Sequence, residues 1–251
     1  MPLTQITEYG PACEPWGAPG WLQPISAWTS VTYVLVGIGI IVWVLLSRRR
    51  SAVPPLTVTP TSTVPTFKPV TRMILILAIL AIGNGVGSVI QHGPEPWWNE
   101  LVHDPPLTGT LALVAADAFA DLSGRRLRHW WWAAPTALTA VLALAWHPAA
   151  AVLMVGAAVP AIGLTLVRLW KRPALRVLGA AGLALLAVGG LIGTLGMPGG
   201  PLCRPDSAFF ASGWSTHSIW HLLSATAFIP LAHLIGRRTT ASEQSQGRRL
   251  S

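Results

Sequence analysis

From Trp131 to Leu169 the chain is almost uninterrupted apolar sequence, broken chiefly by His147 and Pro148. An α-helix crosses the hydrocarbon core of a bilayer in roughly 20 apolar residues, so a stretch of this length requires two spans and a tight turn between them. Similar runs recur along the chain, and the hydrophobic periodicity predicts seven spans near 26–46, 72–92, 106–123, 130–147, 149–170, 174–196 and 214–236. The 251 residues are 52% hydrophobic and only 10% charged, with a mean hydropathy of +0.53, a composition that excludes an ordinary soluble domain. The expected fold is therefore all-α: one seven-transmembrane helix bundle over residues 1–238, followed by a disordered polar tail over 239–251.

A net charge of +8 would suit nucleic-acid binding, but the placement of the basic residues argues for topology instead. Arg48, Arg49, Arg50, Lys68 and Arg72 flank the first connection; Arg125, Arg126 and Arg128 the third; Arg168, Lys171, Arg172 and Arg176 the fifth; and Arg237, Arg238, Arg248 and Arg249 the C-terminus. Of the 17 basic residues only Arg204 falls in the alternate set of segments. The positive-inside bias then puts the N-terminus outside and the C-terminus in the cytoplasm of a multi-pass protein of the cell membrane, with the bilayer as partner and no nucleic acid. No Lys or Arg precedes Arg48, so the basic n-region of a cleaved signal peptide is missing and the first span is expected to be retained. The Pro- and Thr-rich stretch from Ser51 to Pro69 reads as an extended or disordered linker.

Two motifs carry chemistry: Ser88-x-x-x-His92 at the end of the second span and His217-x-x-x-His221 at the start of the seventh. Residues i and i+4 share a helix face, and the topology sets both motifs at the outer side. Three imidazoles at one depth read as a metal site, since a catalytic zinc typically has three protein ligands and a water. A lone His92 would be an interfacial histidine; the joint pattern favours the metal. Asp104, before Pro105 and Pro106 at the same level, can cap the third helix, pair with the metal's water, or act as a general base. His103 is expected to precede that helix. His147 and His233 stand alone near other span ends, and His129 lies on the inner side beside an aromatic belt starting at Trp130. Asp117, near mid-membrane, needs a partner or a water-filled cavity and is left as a cavity residue rather than a catalytic one, whereas Asp121 can reach the basic inner loops. Cys13 and Cys203 both fall outside, where a disulfide is permitted; free thiols are the alternative.

Ser88-Val-Ile-Gln-His92, Asp104-Pro105-Pro106-Leu107 and His217-Ser-Ile-Trp-His221 together resemble the alkaline ceramidase family, within the CREST superfamily of seven-helix membrane hydrolases that also contains the adiponectin-receptor-like proteins. The likeness extends to Cys13-Glu14 and to the Pro24–Tyr33 start of the first helix. The resemblance implies a catalytic zinc held by His92, His217 and His221, with Ser88 and Asp104 at the reacting centre and a Cys13–Cys203 disulfide. It implies an amidase acting on ceramide-like or other N-acyl lipids: zinc activates a water and polarises the carbonyl, Asp104 takes and delivers the proton, and Ser88 donates to the developing oxyanion. The alternative it implies is an adiponectin-receptor-like lipid-binding or signalling protein with a structural zinc. A third class, transporter or channel, is disfavoured because the polar residues gather at one face. One departure is plain. The family's calcium site is built on an Asp-Trp-Cys-Glu-x-Asn run and a later Glu, whereas this chain reads Pro11-Ala12-Cys13-Glu14-Pro15-Trp16, with Gln23 about where the later Glu would fall. Calcium prefers six to eight oxygens, so no tight calcium site is expected.

Overall fold

The computed structural model describes residues 10, 12–18, 20–51, 71–204 and 206–237; the Ser51–Pro69 linker beyond Ser51 and the 239–251 tail lie outside the described residues. All regular structure within them is helical. In chain order the helices are α1 (Pro24–Ser51), α2 (Thr71–His92), α3 (Asn99–Ser123), α4 (Trp130–Ala145), α5 (His147–Lys171), a 3-10 turn (Pro173–Leu175), α6 (Arg176–Leu195), the single turn α7 (Ala208–Ala211) and α8 (Thr216–Leu234). Among the described residues four segments, Pro24–Arg49, Thr71–His92, His147–Lys171 and Pro173–Leu195, are long and apolar enough to cross a membrane.

α2 packs between α1 and α3, α8 packs on α1 and α6, and α4 and α5 pack on α3. The core gathers Tyr33, Leu77, Ala78, Leu113, Phe228 and Leu231, so α1, α2, α3 and α8 share its centre. Glycine sets how closely they approach. A Cβ at Gly85 would lie 2.9 Å from the backbone nitrogen of Val34 and 3.0 Å from the carbonyl of Ser30, and one at Gly87 would lie 2.3 Å from the carbonyl of Val102. Backbone thus touches backbone on both flanks of α2, a contact only the smallest residue permits.

α3 begins at Asn99, well before the apolar run from residue 106. The prolines do not stop it. Pro105 and Pro106 lie within the helix, where they withdraw the N–H groups that would otherwise bond the carbonyls of Leu101 and Val102; the Val102 carbonyl instead faces Gly87. In consequence His103 lies inside the helix and does not precede it.

Asp117 is not a cavity residue. The fully buried Arg168 of α5 donates to Asp117 Oδ2 through Nη1 at 2.8 Å and to Asp121 Oδ2 through Nε at 2.9 Å. Its Nη2 donates to the Arg237 carbonyl at 2.6 Å and the Leu234 carbonyl at 3.4 Å, while Gly236 N–H donates to Asp117 Oδ1 at 3.1 Å. One guanidinium therefore ties α3, α5 and the chain leaving α8, and it satisfies carbonyls that the end of a helix leaves open. Arg172 Nε stands 3.5 Å from Asp121 Oδ2. Arg168, grouped by sequence with the basic inner loop, is the partner that these buried carboxylates require.

Candidate metal centre

At the other end of the bundle, the C-terminal turn of α2 meets the N-terminal turns of α8. Ser88 and His92 project from α2, His217 and His221 from α8, and each pair shares one helix face because four residues are close to one full turn. Ser215 caps α8 with its side chain accepting from Ser218 N–H at 3.1 Å, which fixes where the helix starts and hence where both its histidines point.

The three imidazoles form a near-equilateral cluster. Ring centroids lie 4.9 Å apart for His92–His217, 5.0 Å for His92–His221 and 4.6 Å for His217–His221, and one ring nitrogen from each falls within 4.8 Å of the other two. His217 Nε2 is 3.3 Å from His92 Nε2. His92 and His221 are buried and His217 is half-buried. The group can hold a metal ion.

What orients the rings comes largely from the segment before α1 and from its first turns. Gln23 grips His92 twice: its N–H donates to the His92 carbonyl at 2.8 Å, and its Oε1 lies 2.5 Å from His92 Nδ1. His221 Nδ1 is 3.0 Å from the Ser26 carbonyl and 3.2 Å from both Thr29 Oγ1 and Ser30 Oγ. With acceptors at Nδ1 on two of the three rings, the proton belongs on Nδ1 and the Nε2 lone pairs are left facing inward. Ser88, also buried, sits beside them: Ser30 Oγ donates to Ser88 Oγ at 2.8 Å, and Ser88 Oγ is 3.4 Å from His221 Nε2. Ser30 Oγ also lies 2.7 Å from the Ser26 carbonyl, so its one hydrogen is contested between that carbonyl and Ser88 Oγ.

Asp104 is buried near this level, but its hydrogen bond runs elsewhere. His103 Nδ1 lies 2.8 Å from Asp104 Oδ1, and His147 Nε2, half of its side chain exposed, 3.6 Å from Asp104 Oδ2. No hydrogen bond joins Asp104 to the triad or to Ser88. His147 thus does not stand alone; the start of α5 brings it to the same carboxylate.

The N-terminal arm is fastened to the site at two points. Cys13 and Cys203 form a disulfide with Cα atoms 5.8 Å apart across 190 residues of sequence. Glu14, buried, accepts from Ile25 N–H at 2.5 Å, Ser26 N–H at 3.0 Å and Ser26 Oγ at 2.6 Å. It caps α1 from upstream, although burial raises its carboxyl above the ordinary value. Gln23, Ser26, Thr29 and Ser30 were not singled out as site residues by the sequence reading; the hydroxyl spacing 26, 29, 30 on one face of an apolar helix is the signal that could have found three of them.

Compared with family models and with curated proteins, the chain matches none.

Proposed function

We propose that this chain is a zinc-dependent membrane amidohydrolase that cleaves the amide of a ceramide-like or other N-acyl lipid, akin to the alkaline ceramidases, and that it crosses the bilayer seven times with its N-terminus outside and its C-terminus cytoplasmic. The observation that carries the reading is the triad: three convergent imidazoles, two with Nδ1 engaged by acceptors, next to a serine hydroxyl. For Zn–N bonds of about 2.0–2.1 Å the edge of a tetrahedron is about 3.3–3.4 Å; the His92–His217 separation of 3.3 Å matches one such edge, and all three ligand nitrogens lie within 4.8 Å of one another. His92, His217 and His221 would hold the ion, which when bound supplies an activated water and polarises a carbonyl. Ser88 would donate its O–H to the oxygen on which charge develops. Asp104, flanked by His103 and His147, would accept and return a proton. Glu14 has its oxygens engaged at the start of α1, which agrees with a chain that does not depend on calcium.

Purified protein should contain close to one zinc per chain by elemental analysis, and His217→Ala or His221→Ala should abolish it. Labelled N-acyl lipids should release fatty acid, and Asp104→Ala should stop release with zinc retained. Protein without zinc overturns the metal site; zinc without turnover overturns the enzyme.

A second reading, an adiponectin-receptor-like lipid-binding protein with a structural zinc, is favoured by one observation: the Asp104 carboxylate bonds His103 and makes no hydrogen bond to the triad. Turnover separates the two.

A further inference from the structure

α3, α4 and α5 border an open cleft at the end of the bundle away from the histidines. Its walls include small residues: buried Ala112, Ala115 and Ala116 on α3, at spacings of three and four that put them on one face, and exposed Gly156 with half-buried Ala157 on α5. Its volume is about 400 Å³, within the roughly 300–1,000 Å³ of small-molecule sites, and its lining is almost wholly apolar. A second cavity of about 680 Å³ opens at its mouth, lined by Arg125, Arg126 and Arg128. The two share Phe119, Trp130 and Trp131 as a common wall, with Phe119 and Trp131 in an edge-on ring contact at 5.2 Å between centroids.

The chain reaches this mouth through Gly124, which ends α3 at a φ of +67°, a left-handed conformation that favours glycine. The arginines follow at once. All three are exposed, and no carboxylate pairs with them among the described residues; the nearby Asp121 is already engaged by Arg168 and Arg172. A positive-inside bias alone would place arginines in this connection, but it would not set them over an apolar cleft. The outward face of α5 beside the cleft, with Val152, Val155 and Val159, is exposed and apolar, so an occupant enters from among acyl chains and not from water. Cationic mouth, aromatic wall and apolar cleft together complement one kind of molecule, an anionic head carrying an acyl tail.

We infer that the α3–α4–α5 cleft binds an anionic membrane phospholipid, with its phosphate at Arg125, Arg126 and Arg128 and an acyl chain between the helices. The inference needs the helices to lie in a bilayer and does not depend on the histidine centre holding zinc.

The test uses the full chain, purified in detergent, with native mass spectrometry of bound lipid. Phosphatidylglycerol and phosphatidylcholine of matched chains are the probes, and free glycerol phosphate is the competitor. Phosphatidylglycerol should be retained at least about tenfold more than phosphatidylcholine. Because each basic residue near an anionic lipid surface contributes about fivefold, the triple variant Arg125→Gln, Arg126→Gln, Arg128→Gln should erase that preference while phosphatidylcholine retention and metal content stay as in wild type. Gly156→Leu, which puts a side chain into the cleft, should lower retention of phosphatidylglycerol at least fivefold with the arginines intact. Equal retention of the two lipids overturns the site, as does a triple variant that keeps the preference or a Gly156→Leu chain that binds normally. Displacement of the lipid by glycerol phosphate at similar concentration would reassign it to a soluble phosphate.

Discussion

Arg168→Met should loosen the bundle far from the histidines, and the size of the effect follows from what Arg168 holds. Its guanidinium lies between Asp117 and Asp121, at 2.8 and 2.9 Å, and all three side chains are at most 3% exposed. Methionine keeps the length and apolar stem but takes the guanidinium away from buried Asp117 and leaves Asp121 only Arg172 at 3.5 Å, and it removes a donor from the carbonyls of Leu234 and Arg237. Breaking a buried pair by deleting one partner costs about 3–5 kcal/mol. At roughly 2–4 °C per kcal/mol for a chain of this size, the apparent Tm should fall by about 10 °C. Thermal unfolding of detergent-purified protein, followed by intrinsic tryptophan fluorescence, measures it. A companion variant, Arg168→Met with Asp117→Asn and Asp121→Asn, removes the uncompensated charge and should recover about half of the loss. If Arg168→Met melts within about 2 °C of wild type, or the triple variant melts no higher than the single one, the ion cluster is not what joins α3, α5 and the end of α8.

Two further outcomes are expected. Gln23→Leu removes the acceptor at His92 Nδ1 and should weaken metal binding by about 10–100-fold, measured by competition with a chelator; unchanged affinity would show that the ring needs no such partner. For Glu14, burial raises the carboxyl above its ordinary value of 4.5, against opposing hydrogen bonds from Ser26 and Ile25. Protonation therefore favours the folded arm: the contribution is full below that ordinary value and is lost as pH rises through the raised one. Relative to Glu14→Gln, wild-type protein should lose apparent Tm as pH climbs above the ordinary value of 4.5 and through the raised one, and parallel curves for the two proteins would refute it.

The helical class and the meeting of His92, His217 and His221 were legible in the sequence, because apolar run length and four-residue spacing are local signals that survive any packing. The α3 start was not. Proline usually marks a boundary, and here a glycine on the neighbouring helix receives the carbonyl that proline strands. The Asp117–Arg168 pair was hidden for a different reason: its members lie 51 residues apart, and Arg168 reads as one more basic residue at a span end. The role of Gln23 was invisible for want of pattern, since an amide before a helix carries no spacing rule and gains meaning only when α2 ends beside it. His147 looked isolated because its partner comes from a helix two elements earlier.

The disulfide also says something about time. Cys13 emerges during synthesis before α1, and Cys203 only after α1 to α6. The arm that carries Gln23 cannot be sealed to the connection that leads into His217 and His221 until that connection exists, in a compartment that oxidises thiols. The histidine centre is thus completed late, by the return of the chain to its own beginning, and any nascent fragment ending before α8 holds only His92 of the three.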